Sequence, residues 1–242
     1  MPKTKTKTEV EDLAQKYQKK TDKEHILDNP DTYIGSVEHL ETNLYTFHDD
    51  NTIKSKEINY IPGLYKLFDE AIVNARDHVV RTLQWLSENK HDCIPVSYID
   101  IKVEDDMITI TNDGNGIDVE KHPTYDVWIP ELIFGHLRTG TNYNKNEEKI
   151  VGGKNGFGVK LIFIWSTYGR IETVDHTRGL KYTQEFKDNL DEICKPSIRK
   201  CKTKPYTKIT FKPDYKRLGI DKLSDDFIAL IKRRVYDIAA IT

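Results

Sequence analysis

Cysteine is scarce in this chain and poorly spaced for chemistry. Cys93, Cys194 and Cys201 are the only three among 242 residues, no two form a C-x-x-C pair, and one is left over. Neither a disulfide framework nor a zinc site is indicated. Long apolar runs are missing too: the uncharged stretch from Leu161 to Gly169 is far too short to cross a bilayer. The N-terminus, Met1-Pro2-Lys3-Thr4-Lys5-Thr6-Lys7, lacks the apolar segment of a secretory signal. No charge sign dominates: 37 Lys and Arg against 39 Asp and Glu leave a net charge of -2, so no global basic field marks the whole chain for nucleic acid. Hydrophobic residues at 37% and charged residues at 31% allow a packed core and argue against wholesale disorder. A soluble protein of a reducing compartment is expected, with one large domain or two small ones.

The first eight residues alternate Lys and Thr and offer nothing to bury, so a flexible tail is expected over 1–16. Residues 9–27 are helix-prone but charged on most sides, as an arm that docks elsewhere would be. Turn signals stand at Asn29-Pro30-Asp31 and Pro62-Gly63. Leu64, Leu67, Phe68, Ala71, Ile72, Ala75, Val79, Leu83 and Leu86 then fall on one helical stripe. Val96–Val103 and Met107–Thr111, linked by Glu104-Asp105-Asp106, read as a hairpin. Helices are expected over Val127–Leu137 and Gly156–Trp165, separated by a polar, Gly- and Asn-rich segment. Strands near 168–175, 180–187 and 206–212 precede a last helix over Ser224–Ile238. Without a regular βαβ alternation, the intermixed elements favour a layered α+β sandwich over a doubly wound sheet.

Three segments carry chemistry. Asp69-Glu70-Ala71-Ile72-Val73-Asn74-Ala75-Arg76-Asp77 sets Glu70, Asn74 and Asp77 on one helix face, roughly opposite the apolar stripe. Such a face is either an ordinary solvated surface or a site: a carboxylate to activate water and an amide oxygen to ligate a hard cation such as Mg²⁺. Asn112-Asp113-Gly114-Asn115-Gly116-Ile117 follows a strand. It is either a hairpin turn or a close backbone approach that leaves Asp113 to accept from an exocyclic amine. Gly152-Gly153-Lys154-Asn155-Gly156-Phe157-Gly158-Val159-Lys160 opens a helix with the glycine order G-x-x-G-x-G. That is neither a P-loop nor a dinucleotide fingerprint, and it reads as a plain loop or as a phosphate cradle of backbone N–H groups.

In this order, E-x-x-x-N-A-x-D, D-x-G-x-G and G-x-x-G-x-G resemble the GHKL ATPases, which include gyrase-type topoisomerases, heat-shock chaperones, histidine kinases and MutL-type repair proteins. Further stretches narrow the resemblance. Tyr17-Gln18-Lys19-Lys20-Thr21, Pro30-Asp31-Thr32-Tyr33-Ile34-Gly35-Ser36-Val37, Leu132-Ile133-Phe134-Gly135 with Thr139 and Asn142-Tyr143, and Tyr236-Asp237-Ile238-Ala239 are similar to the N-terminal segment of eukaryotic-type type II DNA topoisomerases. The match covers about residues 14–242, and the divergences from the cellular family hint at a large DNA virus as the source.

The resemblance implies the GHKL (Bergerat) sandwich, a mixed and mostly antiparallel sheet covered on one face by helices. It implies ATP and Mg²⁺ as cofactors. Glu70 would be the general base, Asn74 the Mg²⁺ ligand, and Asp113 the acceptor for the adenine amino group. Asn155, Gly156, Phe157, Gly158, Val159 and Lys160, preceded by Lys154, would wrap the phosphates. Thr139, Gly140, Thr141 and Asn142 would reach ribose and phosphate from a lid over 136–158, and Tyr17, in an arm over 17–37, would reach the partner's nucleotide. Asp77, His78, Gly116 and Ile117 complete the binding set. His78 and Gly140 depart from the family's asparagine and serine.

The implied function is the ATP-driven N-gate of a topoisomerase. It would be a homodimer on ATP binding, joined to a transducer domain and DNA-cleavage core, with duplex DNA as the full enzyme's partner and no membrane. The family's transducer, with its γ-phosphate lysine, would follow the end of this chain. The expected setting is intracellular, in the nucleus or at a viral replication site in host cytoplasm. Two alternatives stand beside this one: a nucleotide-responsive dimerisation module with negligible hydrolysis of its own, and another GHKL ATPase of the chaperone or MutL kind. The run Lys195, Arg199, Lys200, Lys202 and Lys204 is either a solvated loop or a DNA contact.

Overall fold

The acidic link Glu104-Asp105-Asp106 makes a tight turn. Asp105 (φ 50) and Asp106 (φ 60) both adopt the left-handed conformation that a two-residue hairpin with the right twist requires. The computed structural model describes residues 20–89, 92–137 and 158–242. The turn joins strands β3 (Ile99–Glu104) and β4 (Met107–Asp113), with Ile101 opposite Ile110 and Val103 opposite Ile108. The expected strand from Val96 begins later, at Ile99. The reason is local: the N–H groups of Ser97 and Tyr98 donate to the Asp113 carboxylate, so neither is available to a ladder.

Beyond this hairpin the chain builds β5 (Ser166–Asp175), β6 (Leu180–Lys187), β7 (Glu192–Ile193), β8 (Ser197–Lys200) and β9 (Tyr206–Pro213). The strand order is β3-β4-β9-β5-β6-β7, with β8 also pairing β6. Every pairing among the described residues is antiparallel. Alternation along the strands sends Ile108, Ile110, Ile171, Ile209, Phe211, Tyr182 and Phe186 into the core, while Thr109, Thr111, Arg170, Glu172, Lys208 and Thr210 stay half-buried on the other face. The α+β sandwich is therefore the observed fold.

Helix α3 (Pro62–Ser87) crosses the apolar face; shorter helices α1 (Asp22–Asp28) and α2 (Pro30–Tyr33) precede it. Proline at its first turn sets the start, where a missing N–H has no helical partner to lose. Leu64, Leu67, Phe68, Ala71, Ile72, Ala75 and Val79 are buried as the stripe requires. Leu83 and Leu86 are not: they are 51% and 40% exposed, because the last turns of α3 run past the packed body. Helices α4 (Ile129–Gly135), α5 (Gly158–Ile164) and α6 (Asp225–Ala240) complete the layer. The expected helix over Val127–Leu137 is shortened at its start, where Trp128 bridges to Lys121. Phe163 of α5 stacks on Phe186 of β6 at 4.8 Å, and a Cβ at Gly169 would lie 2.4 Å from the Phe163 ring, so only glycine fits beneath it.

Helix α6 is capped by Ser224, which accepts from Phe227 N at 3.1 Å, and Arg234 ties it to Asp69 of α3 at 2.8 Å. A separate hairpin, β1 (Leu40–Phe47) with β2 (Ile53–Tyr60), packs on α6 through Phe47 stacked on Tyr236 and Lys56 paired with Asp226 at 2.6 Å. The sequence signals did not show this hairpin. Among the described residues no helix is long and apolar enough to cross a membrane. The tail over 1–16, Tyr17 and most of the expected lid, including Thr139, Gly140, Thr141, Asn142, Lys154, Asn155, Gly156 and Phe157, lie outside the described residues.

Candidate functional site

The polar face of α3 is not a solvated surface. Asp77 is 3% exposed and the Glu70 side chain 18%, because α5 packs across this part of the helix. The Glu70 carboxylate lies directly against Gly158: a Cβ there would sit 1.9 Å from Oε2. The first and third sequence segments, more than eighty positions apart, are thus brought together, and a glycine at 158 is what lets them meet. Glu70 Oε1 pairs with Lys66 Nζ one turn earlier at 2.5 Å. Asn74 donates its Nδ2 to the Glu70 carbonyl at 2.5 Å, leaving the amide oxygen as the atom suited to a cation.

The described residues contain no cluster of three or more His, Cys, Asp or Glu side chains able to hold a metal. The Asn74 amide oxygen is a hard donor of the kind Mg²⁺ accepts singly from protein, with substrate phosphates and water completing its octahedron. Lys160, on the first turn of α5, is 2% exposed, and burial lowers its pKa to about 8. Gly158 and half-buried Val159 lead into it.

Two turns further along α3, His78 meets the second segment. A Cβ on Gly114 (φ +102) would come within 3.0 Å of His78 Nε2 and 2.8 Å of Val96. His78 Nε2 is buried without a hydrogen-bond partner among the described residues. Burial first, then the neighbouring charge of Arg81, lowers its pKa to about 4 against the opposing pull of Asp113, so the ring is neutral at pH 7.

Asp113 to Ile117 is no hairpin; the chain leaves the sheet here and lies across β5. Gly116 (φ +73) is pressed so closely that a Cβ would stand 2.0 Å from the Val174 carbonyl. Thr173 Oγ1 accepts from Ile117 N at 2.9 Å, Asp175 Oδ2 accepts from Val119 N at 2.8 Å, and Asn115 O accepts from His176 N at 3.1 Å. Asp113 Oδ1 accepts from Ser97 N at 2.7 Å and Tyr98 N at 3.1 Å, while Oδ2 accepts from Ser97 Oγ at 2.5 Å. Burial works to raise the Asp113 pKa, but these hydrogen bonds outweigh it and hold the carboxyl below its ordinary value.

The structure therefore brings Glu70, Asn74, Asp77, His78, Asp113, Gly116, Ile117, Gly158, Val159 and Lys160 to one stretch of α3 and the two segments packed on it. Sequence reasoning missed Lys66, Ser97 and Thr173. Lys66 had a signal, its position four residues before Glu70. Thr173, in a strand that also holds Ser166, Thr167, Arg170, Glu172 and Asp175, had none, and neither had Ser97.

The profile of the histidine kinase-, DNA gyrase B-, and HSP90-like ATPase family matches residues 59–216. Over 235 residues the chain is 47% identical to the DNA topoisomerase 2 of Acanthamoeba polyphaga mimivirus, which covers 95% of this chain and 18% of that protein. Over 228 residues it is 44% identical to the DNA topoisomerase 2 of Arabidopsis thaliana, covering 94% and 15% respectively. The crystal structure of the ATPase region of Saccharomyces cerevisiae topoisomerase II matches with a TM-score of 0.85 at 41% identity, covering 93% of this chain and 58% of that one. The chain thus spans less than a fifth of the length of these two curated relatives.

Proposed function

Because the chain belongs to the histidine kinase-, DNA gyrase B-, and HSP90-like ATPase family, we propose that it binds and hydrolyses Mg-ATP as the ATPase region of a type II DNA topoisomerase. The observation that carries this reading is the contact of the Glu70 carboxylate with Gly158, which sets a carboxylate where the glycine segment enters its helix. Glu70 takes a proton from the attacking water, and Asn74 offers an amide oxygen to the cation. Mg²⁺, when bound, neutralises charge on the triphosphate. Asp113, held ionised by Ser97 and Tyr98, accepts from the adenine amino group. His78, Asp77, Gly116 and Ile117 shape the base and ribose end. Lys154, Asn155, Gly156, Phe157, Gly158, Val159 and Lys160 hold the phosphates; Thr139, Gly140, Thr141 and Asn142 close over them, and Tyr17 reaches a partner's nucleotide.

In this reading ATP binding closes two copies of the chain into a dimer, and hydrolysis resets it. The remainder of a longer chain and duplex DNA are its partners, and the setting is intracellular, in the nucleus or at a viral replication site. Supporting the larger assembly, the relatives named DNA topoisomerase 2 are several times longer than this chain.

Glu70→Gln tests the mechanism. It is expected to keep ATP-analogue binding in calorimetry while lowering phosphate release about 100-fold or more, the usual range for a general base. Unchanged release removes Glu70 from that role. A second reading, a dimerisation module with negligible turnover, is favoured by the Lys66–Glu70 pair, which holds the carboxylate to its own helix. Analogue-driven dimerisation in light scattering, without phosphate release from the parent chain, selects it.

A further inference from the structure

Charge is unevenly spread on the face of the sheet that the helices leave open. Between Cys194 and Asp214 the sequence holds seven Lys and Arg residues and no carboxylate, in a chain whose net charge is -2. The fold puts three of them on one surface. Arg199 of β8 and Lys208 and Lys212 of β9 project from it, Lys202 and Lys204 lie in the loop between these strands, and Lys200, paired with Leu180 on the side of core residue Tyr182, faces the other way. None of these six makes an ion pair within the described residues.

Register adds further cations. Lys181 of β6 stands directly opposite Arg199, a like-charge pairing that by itself costs stability. Glu172 relieves part of it, pairing with Lys181 at 2.9 Å and Arg170 at 3.2 Å, but it lies in the row of Lys208 and leaves Arg199 uncompensated. Across β8, β6, β5 and β9 this surface is roughly 15 Å wide at the usual strand spacing. Half-buried Thr183 and Thr210 lie among the charges, and between β8 and β9 the surface carries none of the chain's large exposed apolar side chains.

We propose that this open sheet face is a docking surface for duplex DNA, with Arg199, Lys202, Lys204, Lys208 and Lys212 neutralising backbone phosphates. Cations and hydroxyls dominate this face, and its tyrosines are already engaged, Tyr206 by Lys181 at 2.9 Å and Tyr168 with Glu185 at 3.0 Å, so it suits a phosphate backbone better than a protein surface. Its width matches the roughly 12 Å major groove whose two phosphate rails would have to be bridged. Nucleotide chemistry does not account for the charges, since Glu70 and Asn74 lie on α3, packed on the opposite face. The choice of DNA among polyanions rests on the topoisomerase reading above; the charge asymmetry does not.

The test is fluorescence anisotropy of a short labelled duplex titrated with the 242-residue chain over a salt series from about 50 to 200 mM. The parent is expected to bind with a steep linear loss of log affinity against log salt. The triple variant Arg199→Gln, Lys202→Gln, Lys208→Gln is expected to bind at least tenfold more weakly, with a slope lower by about 2–3, since each phosphate contact contributes about 0.9. A second variant, Lys3→Ser, Lys5→Ser, Lys7→Ser, controls for the basic N-terminal residues and is expected to bind like the parent. Equal binding by parent and first variant, loss of binding in the second variant instead, or displacement by polyglutamate as readily as by unlabelled duplex each overturns the proposal. ATP-analogue binding on the same preparations separates a failure of this surface from a failure of the ATPase reading.

Discussion

The two ends of the candidate site are built differently. At the Asp113 end every turn of backbone is pinned: three hydrogen bonds enter one carboxylate, Thr173 and Asp175 take the next N–H groups, and Gly116 is wedged against the Val174 carbonyl. At the Glu70 end the carboxylate has one ion pair from half-exposed Lys66 and a steric contact with Gly158. Recognition of a base gains from rigid acceptors, which lose nothing by ordering when the ligand arrives. A general base has to approach water and exchange a proton, so a light tether serves it better.

Adding one methyl group to a glycine at each end should separate the two most widely. In Gly116→Ala the new Cβ meets backbone at 2.0 Å with φ +73, and neither neighbour can swing aside. A loss of roughly 3 kcal/mol or more is expected, seen as a large fall in Tm and absent nucleotide binding. In Gly158→Ala the Cβ meets the tip of a flexible side chain at 1.9 Å, so Glu70 is pushed away. Stability should change by about 1 kcal/mol or less while phosphate release collapses. Equal Tm values for the two variants would abolish the distinction between a pinned end and a tethered one.

Next in size is Asp113→Ala, which orphans the N–H groups of Ser97 and Tyr98. About 2–3 kcal/mol of stability should go with the proposed adenine contact, read by chemical denaturation and analogue titration. Because the folded pKa of Asp113 lies below its ordinary 3.8, its contribution is complete above that value and is lost as pH falls through the folded pKa. The variant should therefore lose less stability than the parent on acidification below pH 3.8.

His78 titrates the opposite way from a paired histidine. Its folded pKa of about 4 lies below the ordinary 6.5, so the unfolded chain takes up the proton first and stability falls as pH drops from 6.5 towards 4. In His78→Gln this dependence should shrink by roughly 1–3 kcal/mol across that window. Tm measured in small pH steps checks it; parallel curves for parent and variant would place the proton elsewhere.

Much of this was legible in the sequence, for physical reasons that differ by element. The 3.6-residue stripe of α3 had to be buried somewhere, yet periodicity does not say where the partner surface stops, so Leu83 and Leu86 were misplaced on the core side. Hairpin β1–β2 escaped notice because Lys54, Ser55, Lys56 and Glu57 face solvent and give neither alternation nor a tight turn signal. Glu70, Asp113 and the glycines stood out because close backbone approach and carboxylate chemistry demand particular residue types. Ser97, just before β3, gives its N–H and hydroxyl to Asp113, and Thr173 of β5 accepts from Ile117 N; both act from far along the chain, and nothing local marks them.

The smallest expected effect is the most direct probe of the tether. Lys66 is 42% exposed on the side chain, and an exposed i,i+4 pair contributes about 0.3–0.5 kcal/mol, so Lys66→Ala should leave Tm nearly unchanged. Its influence should appear in turnover instead, because Lys66 draws Oε1 of the proposed base towards its own helix. If that pairing holds the base back, Lys66→Ala releases phosphate faster than the parent. If it aims the base, the variant is slower while analogue affinity stays the same. Either change with an unchanged Tm establishes Lys66 as a positioning residue for Glu70. Unchanged turnover together with unchanged Tm shows the pair to be an ordinary surface contact, and the light tether then reduces to the steric contact with Gly158.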